Sequence, residues 1–136
     1  MIIRIFPNTR KEFDAEEKLR DWLNDELRLR GGEYHLRTTN GVGSIPAGSI
    51  VLFRFEKNIV GHAVVKKDVV SFNKKIDGIK YEGMIQFKPS SIKVYKKALP
   101  IEFLEKITGR NFSFGRAYFR IETSDLFHKI LAEIKK

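Results

Sequence analysis

From Ser49 to Tyr95 the chain carries five β-rich runs in succession, with no helix-length stretch between them. They are Ser49–Phe55, Ile59–Val65, Val69–Phe72, Lys80–Phe87 and Ser91–Tyr95. Strands joined by turns pair with their neighbours, and a series of this kind suits a curved, mostly antiparallel sheet or a small barrel. Glu56-Lys57-Asn58 reads as the tight turn of a hairpin, and Pro89 breaks the fourth run. Gly61, inside a strand, marks a bulge or a close backbone approach. Lys74–Gly78 reads as a polar loop.

The flanking segments supply helices. Ile2–Phe6 is a first strand. Thr9 and Glu12 have the spacing of a capping box, which predicts a helix over Lys11–Leu29. Leu19, Trp22, Leu23 and Leu27 recur at helical spacing as its buried stripe, and Gly31-Gly32 ends it. Tyr34–Arg37 is a short strand, and Thr38–Gly48 is a loop rich in breakers. Pro100 opens a helix over Ile101–Ile107, closed by Thr108–Asn111. Ala117–Ile121 is a last strand, and Ser124 caps a final helix, Asp125–Lys135, with Leu126, Ile130, Leu131 and Ile134 inward. The 136 residues fit one α+β domain spanning 1–136, with a curved sheet or small β-barrel flanked by helices.

Composition narrows the chemistry. Hydrophobic residues at 42% are enough for a core at this size. Cysteine is absent, which removes disulfides, thiolate metal sites and thiol nucleophiles. His35, His62 and His128 lie far apart without ligand spacing. No nucleophile elbow or phosphate-binding loop is present. Glu82, Glu122 and Asp125 are carboxylates that no spacing assembles into a nuclease site. The expectation is a binding module, not an enzyme, with no metal and no cofactor. No apolar run has membrane-spanning length, and the N-terminal apolar stretch is too short for a signal peptide, so a cytoplasmic protein is expected. A single glutamine, Gln86, beside many Lys, Glu and Ile has a mild thermophile flavour.

Of the net charge of +9, the segment 54–99 supplies +7, from eleven Lys/Arg against four acids. It includes Lys66-Lys67, Lys74-Lys75, Lys80, Lys88, Lys93 and Lys96-Lys97. A clustered basic surface attracts polyanions and releases their counterions. The same charge also serves solubility, an acidic protein or an anionic membrane.

The order of elements, with Pro46-Ala47-Gly48-Ser49-Ile50-Val51-Leu52-Phe53 leading into Ile59-Val60-Gly61-His62-Ala63-Val64-Val65, resembles the PUA-like superfamily in its EVE, YTH and ASCH branches. The tail, with Phe112-Ser113-Phe114-Gly115-Arg116 before a strand and a closing helix, resembles the EVE branch. The resemblance implies nucleic-acid recognition, with a modified base held in an aromatic-lined pocket. It also implies a role as the DNA-recognition part of a modification-dependent, McrBC-type restriction system, beside a nuclease or motor. A stand-alone RNA-binding protein, and an ASCH-like enzyme or protein-interaction domain, are the alternatives within the same fold. One departure stands out. The only tryptophan, Trp22, sits on the long helix, so a cage needs Tyr or Phe unless Trp22 turns away from the core.

In the resembling families the region around residues 34–44 borders the pocket. Tyr34 or His35 would stack on a base, Thr39, Asn40 and Ser44 offer polar groups to its edge, and Arg37 would meet a phosphate. The competing reading is a turn-rich loop in which Asn40-Gly41 serves only backbone geometry. Arg110, Phe112, Phe114 and Arg116 interleave basic and aromatic residues, which suits stacking with phosphate contact. Alternatively, both phenylalanines are core. Lys74 and Lys75 would contribute phosphate attraction, and the base would lie between 38–44 and 110–116.

Overall fold

A computed structural model describes residues 2–8, 12–39, 42–112, 119–122 and 125–136. Seven strands form one sheet: β1 (Ile3–Asn8), β2 (Glu33–Leu36), β3 (Ile50–Phe55), β4 (Asn58–Ile76), β5 (Ile79–Phe87), β6 (Lys93–Pro100) and β7 (Phe119–Ile121). Their order is β2-β5-β4-β3-β1-β7, with β6 paired to β4. The β1–β3 pair is parallel and every other pair is antiparallel. Helix α1 runs over residues 16–29, α2 is Ile101–Thr108 and α3 is Asp125–Ile134.

Alternation along β1 and β3 sends side chains to two separate cores. Phe6, Val51, Phe53 and Phe55 face the core that holds Leu19, Leu23 and Leu27 of α1 with Tyr34, Ile85 and Phe87. Ile3, Ile5, Ile50 and Leu52 face the other core, which holds Tyr95, Leu104, Phe112, Leu126 and Ile130. The sheet therefore has α1 on one face, and α2 and α3 on the other. That division decides which of the candidate site residues can meet.

Three local expectations change. Helix α1 begins at Glu16 and Ala15 is its N-cap without a side-chain cap bond, so Glu12 is not in a first helical turn. Thr9, the other half of the expected capping box, is outside the described residues. The expected separate runs at 59–65 and 69–72 are one strand, β4, of 19 residues. Repeated register shifts against β5 absorb the polar Lys66-Lys67-Asp68 stretch without ending the ladder. The expected loop at 74–78 is strand to Ile76, followed by a two-residue turn at Asp77-Gly78. Both turn residues have positive φ, 49° and 80°, the geometry of a type I′ hairpin turn.

Gly61 has both of the features expected of it. The β3–β4 register shifts beside it, and an added Cβ would press into the carbonyl oxygen of Lys93 on β6. Side-chain anchors hold the loop between β2 and β3. Arg4, buried on β1, donates to the carbonyls of Val42 and Ser44. Asp68 accepts from the Ile45 backbone at 2.7 Å and from the Ser44 hydroxyl at 2.9 Å.

Candidate nucleic-acid interface

At its middle, α1 carries a π turn, Trp22–Glu26. Leu19, Leu23 and Leu27 remain fully buried. Trp22, which helical spacing placed in that stripe, instead lies half-buried at the rim of the core. Single π turns often occur at functional positions because the wider turn re-aims side chains. Trp22 packs edge-on against Phe13, with centroids 5.8 Å apart, and against Tyr34, 5.6 Å apart.

These rings help to line a hollow of about 520 Å³, completed by His35, Arg37 and Thr38 from the end of β2, Ile79 and Tyr81 from β5, and Arg30. Its volume falls within the roughly 300–1,000 Å³ of typical ligand pockets. His35 meets Tyr81 at 5.3 Å and Phe72 at 5.6 Å between ring centroids, so β2 and β5 present a second aromatic wall.

Charge divides across Trp22. Arg30 and Arg37 line the hollow, with Glu12 as its one acid. The Arg30 guanidinium carbon lies 5.9 Å from the Trp22 ring centre, within cation–π range. On the other side, a shallow open depression is lined by Glu12, Asp14, Asp21, Asp25 and Glu26, with Lys18 as its only base among the described residues. Arg30 also pairs with Glu26 across this divide, at 3.7 Å, so of the two arginines Arg37 is the one that leaves the first side favourable to a polyanion among the described residues. Burial, followed by the charges of Arg30 and Lys74, holds the His35 pKa below its usual value, and Glu33 opposes this only in part. His35 is therefore a neutral ring at neutral pH, suited to stacking.

The structure separates the residues singled out from sequence. His35 and Arg37 line the hollow. Tyr34 also contributes to its lining, but a role as a stacking platform needs correcting. Its ring is 9% exposed, enclosed by Phe6, Phe53, Phe87 and Trp22, and its hydroxyl donates to Asn8 at 3.3 Å. Thr39 lies on a different shallow depression with Ser71, Phe72, Asn73, Lys80 and Glu82. The Ser44 hydroxyl is engaged by Asp68 and does not line the hollow. Asn40 is outside the described residues.

The 110–116 segment does not meet the hollow in its described part. Phe112 is 1% exposed in the core on the opposite face of the sheet, edge-on to Phe119 at 5.0 Å. Its carbonyl accepts from buried Arg54 at 2.8 Å. Arg110 lies 5.3 Å from the Phe112 ring and donates to the Arg120 carbonyl at 2.7 Å, beside a separate depression. Phe114 and Arg116 are outside the described residues. A base held between Phe112 and the 38–44 loop is thus corrected, because the sheet lies between them.

Lys74 and Lys75 point to opposite faces of the β4–β5 ribbon. Lys74 pairs with Tyr81, whose face adjoins the hollow, and Lys75 pairs with Lys80 on the other face. Sequence reasoning missed Trp22, Phe13, Arg30 and Tyr81 as lining residues. Trp22 as the sole tryptophan was a usable signal. No local pattern marked Phe13 or Tyr81, which tertiary packing brings to the site. His62, on β4, is buried with Nδ1 2.7 Å from the Tyr95 hydroxyl. Burial, aided by Lys93, lowers its pKa to about 4. Among the described residues, no group of three or more His, Asp or Glu is placed to hold a metal ion, and no helix is long and apolar enough to cross a membrane.

No family model matches the sequence, and no curated protein matches it. Among solved structures, the chain is similar to Rpa0253 from Rhodopseudomonas palustris, with a TM-score of 0.56 at 11% identity over 98% of this chain and 92% of that one. It is also similar to the YTH domain of the Zygosaccharomyces rouxii MRB1 protein, solved in complex with N6-methyladenosine RNA. There the TM-score is 0.52 at 14% identity, over 98% of this chain and 88% of that one. The likeness is one of fold: this α+β domain, with its seven-stranded and mostly antiparallel sheet, shares the fold of that YTH domain.

Proposed function

We propose that this domain binds nucleic acid by taking one base of a strand into the hollow between Trp22 and the His35–Tyr81 wall. The supporting observation is the placement of two aromatic walls and two arginines around one concave space. Stacking on the rings supplies affinity that tolerates any base, and Arg30 and Arg37 supply phosphate attraction. The shared fold of a YTH domain solved with N6-methyladenosine RNA supports a nucleic-acid partner and a base pocket. The finer reading is that the base is modified and that the domain is the DNA-recognition part of a modification-dependent restriction system, delivering a nuclease or motor to marked DNA. In this reading the domain carries no catalytic centre of its own.

A second reading, a reader of modified RNA, is favoured by the RNA in the neighbour's complex. One binding series separates the two. Fluorescent oligonucleotides of one sequence, as DNA and as RNA, each unmodified, with N6-methyladenine or with 5-methylcytosine, are titrated at two salt concentrations. The proposal expects one modified DNA to bind at least tenfold more tightly than its unmodified counterpart. Equal, weak binding to all that disappears at moderate salt means charge without a pocket, and refutes it.

A further inference from the structure

The β4–β5 ribbon outruns the rest of the sheet. The β3 partners of β4 end at Val64, and the β6 partners lie within Asn58–His62. The β2 partners of β5 begin at Gly83. Beyond the Ser71–Gly83 pair, residues 72–82 therefore form a two-stranded arm with no third strand among the described residues, closed by the type I′ turn at Asp77-Gly78. Six residues, Ser71 to Ile76, reach roughly 20 Å at about 3.3 Å each.

Isolated two-stranded hairpins are marginal in water. This one is anchored at its base, where Phe72 and Tyr81 pack on His35. Its outer part is exposed and carries Lys74, Lys75 and Lys80 against a single acid, Asp77, with Glu82 nearer the base. Lys75 and Lys80 are direct cross-strand partners. Like charges in that arrangement destabilise a ladder. No ion pair joins either lysine to an acid among the described residues. A polyanion on that face would relieve the repulsion.

The geometry points to the arm as a groove probe for double-stranded DNA: we infer that residues 73–80 enter the major groove, with Lys75 and Lys80 against the phosphates, while the hollow holds a base from the same duplex. The major groove of B-form DNA, about 12 Å wide, admits a two-stranded ribbon. The major groove of A-form RNA is deep and narrow and does not. The inference rests on the reading that the domain binds nucleic acid, and it selects duplex DNA as the ligand class.

The test compares the full chain with Lys75→Glu/Lys80→Glu, and separately with Trp22→Ala, on one sequence as duplex DNA, single-stranded DNA and duplex RNA. Loss of two phosphate contacts should lower the salt slope on duplex DNA by about 1.8, and affinity by roughly tenfold to a hundredfold. The single-strand loss should be at least tenfold smaller. Duplex RNA should bind weakly and respond little. Single Lys75→Glu should keep or raise Tm, by placing a glutamate opposite Lys80, while still weakening duplex binding. Equal losses on duplex and single strand, equal behaviour of duplex RNA, or no binding to duplex DNA each overturn the arm proposal. If Trp22→Ala binds normally while the arm variant loses duplex affinity as stated, the base-capture reading fails and the arm stands.

Discussion

Replacing Trp22 by alanine removes one aromatic wall of the hollow. Stacking of one base on one ring is worth about 1–3 kcal/mol, so affinity for a single-stranded oligonucleotide should fall roughly 5- to 150-fold. The stability cost has a separate origin. Truncating a fully buried aromatic costs about 3–5 kcal/mol, and Trp22 is only half-buried, which gives about 2 kcal/mol from its lost packing on Phe13 and Tyr34. Trp22→Phe keeps a ring and should recover most of the affinity. The assay is built into the chain. Trp22 is its only tryptophan, so tryptophan emission reports this site alone. Saturating oligonucleotide should quench the emission in step with binding followed by anisotropy on a labelled strand. An alanine variant that folds and binds like the parent, or emission that stays constant through saturation, refutes base capture at Trp22.

Arg37→Ala should weaken binding of all single strands alike and reduce the salt slope by about 0.7, read from anisotropy titrations at four salt concentrations. His62, whose pKa is lowered to about 4 from 6.5 by burial, is neutral in the folded protein. The unfolded chain takes up that proton first as pH falls through 6.5. His62 thus erodes stability between pH 6.5 and about 4, by up to roughly 3 kcal/mol. His62→Gln should flatten that part of the pH profile of the urea midpoint, and an unchanged profile contradicts the assignment. Gly32→Ala should cost about 2–4 kcal/mol by denaturant unfolding, because its φ is +86° and a Cβ would drive into the Phe87 carbonyl. Gly31→Ala, also at positive φ but with open space around it, should cost only about 1–2 kcal/mol.

Period-2 and period-3.6 patterning carried most of the architecture. The β-rich apolar runs Ile2–Phe6, which alternates only weakly, and Ser49–Phe55 placed β1 and β3, and the leucine stripe placed α1. Where the reading failed, long-range partners decided the outcome. Lys66-Lys67-Asp68 looks like a strand break because its charges are polar in isolation. In the fold, bulges turn them outward, and Asp68 is satisfied by Ser44 and Ile45. Asp77-Gly78 was a hairpin signal in plain view, hidden by treating its lysine-rich flanks as loop. The site was less legible. His35 and Arg37 were reachable because they precede a breaker-rich loop, but Phe112 was assigned to the same site on its residue type alone. Which face of a sheet a residue occupies depends on strand order, and residue type carries no information about strand order.

The distribution of charge around Trp22 adds a constraint that neither the rings nor the arm supplies. Arg30 and Arg37 line the hollow side, Arg30 also pairing with Glu26, and Asp14, Asp21, Asp25 and Glu26 line the opposite side, with Glu12 shared between the two. A strand that places a base against Trp22 is therefore repelled from the α1 face beyond it. Its phosphates are directed past Arg37 towards β5 and the arm, where Lys74 shares the ribbon face of Tyr81. In the proposed reading, the Lys74 face of the arm continues from the hollow while Lys75 and Lys80 occupy the opposite face of the ribbon, and the acidic flank disfavours the alternative direction. Neutralising that flank with Asp21→Asn/Asp25→Asn should raise affinity for oligonucleotides without altering which base is preferred, as measured by competition between modified and unmodified strands. A change in base preference with no gain in affinity would mean that these acids touch the base itself, and the path drawn here would be wrong.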